Sequence, residues 1–382
     1  MCFYALTSLY IFCAACFFKY LKKEETDRRS YQSLDQLKHS LFSYINGFTI
    51  VSDRILIIAA CLPFRQKIYF SPDFYLSTLL TIFPLDNKNA FFYNEKNEME
   101  VMQMNRTWYR SGEALLQEIE QTVVDEQEIA FWYLGQCGFV YKGAVTVYID
   151  VMLNDHFDAS GNSKRFYPAP FSPEQVQADY VICTHNHADH LAVETVNGIA
   201  KGDSHTRFII PASCCSVLTD IGIPTERIIP MHAKQTLYLP NLSISAVSTA
   251  HPVHQKDQNG YDFSLGFHLD MNGIQLLHLG DTYLTQQLIK DLLTLPTPHI
   301  FFPPINGQDY FRTARNCIGN LNFNEAAQLA GILHADLTVP THFDMFFGNT
   351  ADPLEFARTF MQYNSSAKWH IPSLGERFIY RR

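Results

Sequence analysis

From about residue 112 the chain alternates short apolar runs with polar punctuation. Leu115, Leu116, Ile119 and Val123 recur at helical spacing, which predicts a helix over 112–123. Two β-rich runs, 129–134 and 145–150, are separated by Gly135, Gly138 and Gly143 and predict the opening strands of a meander. Further strands are predicted over 180–183, 208–211, 228–230, 237–239, 242–247, 264–269 and 275–279, and late ones over 300–302, 337–339 and 368–371. Helical patterns fit 214–221, 285–293, 324–333 and 353–363. Many strands with helices interspersed in both halves predict a layered α/β sandwich.

The first 103 residues break this pattern. They hold one glycine (Gly47), one histidine (His39) and 20 Phe or Tyr, whereas the other 279 of the 382 residues hold seventeen glycines and fourteen histidines. Such a shift marks a boundary just before Met104, giving an N-terminal extension, 1–103, and a main domain, 104–382. Residues 1–18 carry no charge and are followed by Lys19, Lys22 and Lys23. That length reaches the lower limit of a membrane span, and the flanking lysines would leave the remainder in the cytoplasm. Three readings of the extension stand. It is upstream sequence ahead of a true start at Met102 or Met104, a lineage-specific extension, or a working anchor.

Charge and cysteine content narrow the class. The net charge is −9 and the isoelectric point about 5.9, so the surface repels a phosphate backbone and a nucleic-acid partner is not expected. Nine cysteines show no framework spacing. Cys13 and Cys16 lie in an apolar run without a second pair, and Cys214 and Cys215 are adjacent. Reduced thiols and a cytoplasmic protein are expected.

The chemistry concentrates in Thr184-His185-Asn186-His187-Ala188-Asp189-His190-Leu191, directly after a buried strand pattern. Alternate residues of an extended segment point the same way, so His185 and His187 can converge on one ion. A turn into a helix would swing Asp189 and His190 towards a neighbouring ion. Three more donors each follow a strand-like run, namely His251, Asp281 and His342. His254 is the rival for the role of His251, and His268 and His278 are read as bystanders.

This pattern resembles the metallo-β-lactamase superfamily, whose signature is H-x-H-x-D-H plus a later His, Asp and His. The resemblance covers about residues 104–382 and implies a four-layer αβ/βα sandwich. It implies that His185, His187 and His251 hold one divalent ion, that Asp189, His190 and His342 hold a second, and that Asp281 bridges them. Asp150, closing the run VTVYID, matches the early aspartate that braces the ligand loop. Leu191-Ala192-Val193 stands where glyoxalase-type hydrolases and true β-lactamases carry glycines, and flavodiiron proteins carry Glu at the position of His187. The segment Trp132-Tyr133-Leu134-Gly135-Gln136-Cys137-Gly138, with Gly280-Asp281-Thr282-Tyr283 and Pro340-Thr341-His342-Phe343-Asp344, is similar to the L-ascorbate-6-phosphate lactonase family. That likeness implies a cytoplasmic phosphosugar lactonase using manganese. Imidazole and carboxylate donors equally accept zinc or iron.

The segment 303–316 is the candidate substrate-side element. Asn306 lies in its glycine-containing loop, and the guanidinium groups of Arg312 and Arg315 could clamp a phosphate or carboxylate. Water, with a pKa of about 15.7, is a poor nucleophile, and zinc lowers that value to about 7, supplying hydroxide. Asp189 is expected both to ligate and to carry the proton towards the leaving alkoxide. Three functions compete: hydrolysis of a small anionic lactone or ester, phosphodiester hydrolysis of the N-acyl-phospholipid phospholipase-D type, and a non-catalytic metal-binding module. The retention of every ligand position argues against the third. The expected partner is the small anionic substrate, with a homo-oligomer open, and a membrane only if residues 1–18 are an anchor.

Overall fold

The structure is a computed structural model that describes residues 107–382 except 156–164, 315–316 and 365, together with three short strands nearer the N-terminus. Two compact units divide the chain, Met1–Glu98 and Met99–Arg382. Described in the first are β1 (Phe48–Val51), β2 (Arg54–Ile57) and β3 (Ile68–Tyr69), paired antiparallel in that order. The apolar segment 1–18, the Cys13/Cys16 pair and the expected boundary before Met104 lie outside the described residues. Among the described residues no helix is long and apolar enough to cross a membrane.

The second unit opens with helix α1 (Gly112–Gln121), followed by β4 (Glu128–Gly135), β5 (Gly138–Lys142), β6 (Thr146–Ile149) and β7 (Tyr180–Ile182). Next come α2 (Val193–Gly202), β8 (Arg207–Pro211), α3 (Cys215–Asp220) and β9 (Ile228–Met231). A second run holds β10 (Thr236–Leu239), β11 (Leu242–Ser248), β12 (Leu265–Met271), β13 (Ile274–His278), α4 (Gln286–Leu292) and β14 (Ile300–Phe302). The chain closes with α5 (Tyr310–Ala314), α6 (Phe323–Leu333), β15 (Leu337–Thr338), α7 (Pro353–Tyr363), β16 (Lys368–Trp369) and β17 (Arg377–Arg381).

Two seven-stranded sheets result, ordered β17-β4-β5-β6-β7-β8-β9 and β10-β11-β12-β13-β14-β15-β16. In each, the first four strands pair antiparallel and the last four parallel. Both faces of the first sheet are covered, which is why β4 is buried along its whole length. Its odd residues Ile129, Phe131 and Tyr133 face the core between the sheets, while Ala130, Trp132 and Leu134 face Leu115, Ile119, Val196 and Leu218 of α1–α3. Leu288, Leu329 and Phe356 of α4, α6 and α7 join the core on the other side. Helices, sheet, sheet and helices give the expected αβ/βα sandwich. Phe302 of β14 contacts Phe131 and Phe139 across the two sheets, with ring centroids 5.6 and 4.9 Å apart.

Four elements of this second unit are absent from the sequence reading: β5, α2, α5 and β17. The strand expected over 368–371 is two residues long. Helix α4 starts one residue late because Thr285 caps it, its hydroxyl accepting from Leu288 N at 3.0 Å. Helix α6 starts one residue early, behind a capping box of Asn322 and Glu325.

Candidate metal centre

The histidines and acids of the signature stand at the carboxyl ends of strands, where open α/β sheets present their ligands. Asp150 ends β6, and residues 184–190 follow β7. In the second sheet His251 follows β11, Asp281 follows β13, and His342 follows β15. Two of these positions lie in the left-handed region, Asp150 at φ 47° and His342 at φ 58°. The His342 amide donates to Gln136 O at 2.7 Å, which ties the end of one sheet to the first hairpin of the other.

Around Asp281 the donors converge into two groups. His185, His187, His251 and Asp281 form one set of atoms close enough to hold an ion, and Asp189, His190 and His342 form another. His251 Nε2 is 3.1 Å from His187 Nδ1 and 3.4 Å from Asp281 Oδ2. The other oxygen of the same carboxylate, Oδ1, lies 3.3 Å from His190 Nε2 and 3.2 Å from His342 Nε2. Asp189 Oδ2 is 3.4 Å from His342 Nε2 and 3.6 Å from His190 Nε2. Asp281 thus turns one oxygen to each group.

The imidazoles are aimed by hydrogen bonds from behind. Asp150 Oδ2 is 2.8 Å from His190 Nδ1, and Asp150 also accepts from the Thr184 amide at 2.8 Å and the Thr184 hydroxyl at 2.7 Å. Thr184 Oγ1 lies 3.1 Å from His185 Nδ1. These contacts leave Nε2 of His185 and of His190 buried with no hydrogen-bond partner. A buried polar atom left unpaired costs roughly 1–3 kcal/mol, and a divalent cation would engage both nitrogens once the imidazoles are neutral. The donor set of neutral imidazole and carboxylate fits such an ion.

Electrostatics separate the two groups. Burial is the main reason His185 falls well below its usual range, and it brings His251 down to about 4. Burial also opposes charge on His342, but Asp281 and then Asp189 outweigh it and hold the imidazole up at about 9. His190 is likewise raised well above its usual value, with Asp281, Asp189 and Asp150 overcoming burial. Both Asp189 and Asp281 stay ionised despite burial because cationic imidazoles face them. Asp189 is the more open acid, with 20% of its side chain exposed against 4% for Asp281.

The structure separates the rival histidines. His254 is bonded on both ring nitrogens, to Ser248 Oγ at 3.0 Å and Thr285 Oγ1 at 2.8 Å, and stands apart from the two donor groups. His268 bonds Pro296 O. His278, read as a bystander, lies beneath the centre, its Nε2 3.6 Å from Asp150 Oδ2 and its Nδ1 2.8 Å from the Tyr141 hydroxyl. Asn306 uses its side chain to tie its loop to two others, donating to Asn349 Oδ1 and accepting from Asn320 Nδ2. Arg312 bonds Asp309 Oδ2 and Asn306 O, so both residues order the 303–312 segment, and Arg315 lies outside the described residues. Missed by the sequence reading is Gln136, whose amide donates to Asp189 Oδ2 at 2.9 Å and lies 3.1 Å from His342 Nε2. A lone polar residue in the otherwise apolar and glycine-containing run 132–140 is the signal that could have found it, and the structure puts it at φ 56°. Cys137 is fully buried under Asp281, and burial, then Asp281 and Asp150, push its thiol well up.

Residues 146–343 match the family described as the Beta-lactamase superfamily domain. The chain is 28% identical over 234 residues to a UPF0173 metal-dependent hydrolase of Archaeoglobus fulgidus, covering 59% of this chain and 88% of that one. It is 23% identical over 282 residues to a probable L-ascorbate-6-phosphate lactonase of Salmonella heidelberg, covering 64% and 77%. Its fold is similar to that of Igni18, a metallo hydrolase from Ignicoccus hospitalis, with a TM-score of 0.51 at 20% identity over 67% of this chain and 99% of that one. With that family match spanning more than half its length and the donors of the signature gathered at one edge of the sandwich, the chain belongs to the metallo-β-lactamase superfamily and is a metal-dependent hydrolase.

Proposed function

We propose that His185, His187 and His251 hold one divalent cation, that Asp189, His190 and His342 hold a second, and that Asp281 spans both. The substrate of this reading is a small anionic lactone or ester of the phosphosugar kind. The observation that carries it is the carboxylate of Asp281, with one oxygen towards each donor group. A bound divalent cation supplies Lewis acidity, bringing water within reach of ionisation near neutral pH and polarising the ester carbonyl. Asp189, the carboxylate open to solvent, accepts the proton of the attacking water and passes it to the leaving alkoxide at Oδ2. Gln136 holds that oxygen in place. Asn306 and Arg312 order the loop that frames the substrate's anionic group.

The lactone assignment draws on the likeness to the Salmonella lactonase and to its family's glycine-rich hairpin. A cytoplasmic location belongs to the same reading, supported by the free thiols of Cys137, Cys183, Cys214 and Cys215.

The test is metal analysis of the full chain coupled to a hydrolysis panel of phosphorylated lactones and bis-p-nitrophenyl phosphate. Metal-dependent lactone opening, lost in His187→Ala with circular dichroism unchanged, is the expected result. Equal turnover after metal is stripped would sink the reading. Turnover of the phosphodiester alone would replace the lactone with a phosphodiester substrate.

A further inference from the structure

We infer that Cys137 is an additional, soft ligand of the centre, contributing a thiolate from beneath to the ion held at His190 and Asp281. The inference rests on the metal-centre reading above and adds a donor that the histidine–aspartate signature does not contain.

The thiol sits at the turn between β4 and β5 and has no exposed surface. Its Sγ is 4.0 Å from Asp281 Oδ1 and 3.5 Å from Thr341 Oγ1. Sγ, a ring nitrogen of His190 and a carboxylate oxygen of Asp281 form a compact set of donors. With Cys137 as a fifth donor beside Asp189, His190, His342 and Asp281, Zn–S of about 2.3 Å and Zn–O of about 2.1 Å would put sulfur and oxygen donors roughly 3.1–3.8 Å apart. The observed separation reaches the upper end of that range with a shift of only a few tenths of an ångström. A second observation points the same way, since His190 Nε2 is buried and has no hydrogen-bond partner.

Cys137 also lies close to Asp150 and His278. On that side the carboxylate is already engaged by Thr184 N, Thr184 Oγ1 and His190 Nδ1. The available coordination is therefore on the Asp281 side. Ligation replaces the S–H bond by a sulfur–metal bond, and the proton leaves to solvent with no change of oxidation state. A thiolate favours borderline or soft ions, whereas manganese prefers oxygen donors, so such a ligand would favour a zinc-class ion over manganese.

Cobalt(II) is the probe. The full chain, freed of metal and loaded stoichiometrically with cobalt, should show a near-ultraviolet thiolate-to-cobalt charge-transfer band that Cys137→Ser loses while still binding cobalt. X-ray absorption of the zinc-loaded natural protein, which needs no variant, should show a sulfur neighbour. Cobalt bound with neither band nor sulfur neighbour, or a band that survives in folded Cys137→Ser, overturns the thiolate ligand and leaves the metallohydrolase reading intact. Failure of the natural protein to bind cobalt or zinc at all overturns both.

Discussion

Asp150 closes β6 in the left-handed region, a conformation that costs about 1–3 kcal/mol unless its surroundings hold it. Three hydrogen bonds hold it here, one from the Thr184 amide, one from the Thr184 hydroxyl and one from His190 Nδ1. The carboxylate therefore fixes which nitrogen of His190 faces the centre. Asp150→Asn is expected to weaken metal affinity roughly 10- to 100-fold with the fold retained, a change that equilibrium dialysis would register. The charge state of His342 gives a second prediction. In the ion-free protein its imidazole titrates at about 9 against an ordinary 6.5. Its charge stabilises the ion-free fold in full below pH 6.5, and that contribution is lost as pH rises through about 9. A ligating imidazole must be neutral, so metal uptake at pH 7 releases protons, and affinity falls as the solution is acidified. Calorimetric titration in buffers of different ionisation enthalpy reads the proton count, and zero release at pH 7 would contradict the assignment.

At the scale of elements, the loop after β13 touches the loop after β7 at Gly280. Its φ is +60°, and a Cβ added there would meet Thr184 Oγ1 at 2.5 Å. Gly280→Ala should destabilise the fold by more than about 1 kcal/mol, by strain and by displacing the residue that braces His185. Urea denaturation and the metal content of the surviving folded protein would show whether both fall together. Legibility also varies by element. Continuous runs such as 129–134 announced buried strands because both faces of their sheet are covered. β17 did not, since Arg377, Ile379 and Arg381 are exposed and only Tyr380 is buried on this edge strand. Helix α2 carried its signal in Val193, Val196 and Ile199, but Ala192 offers no capping side chain to mark its start.

For the whole molecule, the centre is a joint between two sheets. His185, His187, Asp189 and His190 come from one, and His251, Asp281 and His342 from the other. An ion bound at a thousand times its dissociation constant would add about 4 kcal/mol to stability, so chelation should lower Tm and re-addition restore it. A Tm indifferent to chelator would mean that no such joint forms. The sequence by itself determined the donor types, the spacing of the early cluster and the layered class, because side-chain chemistry and strand periodicity are local properties. Tertiary structure alone decided that His251 and not His254 joins the cluster, that Gln136 reaches Asp189, and that Cys137 lies beneath Asp281. Those choices depend on how strand ends from two sheets meet across a core, and residues three apart along one chain carry no trace of it.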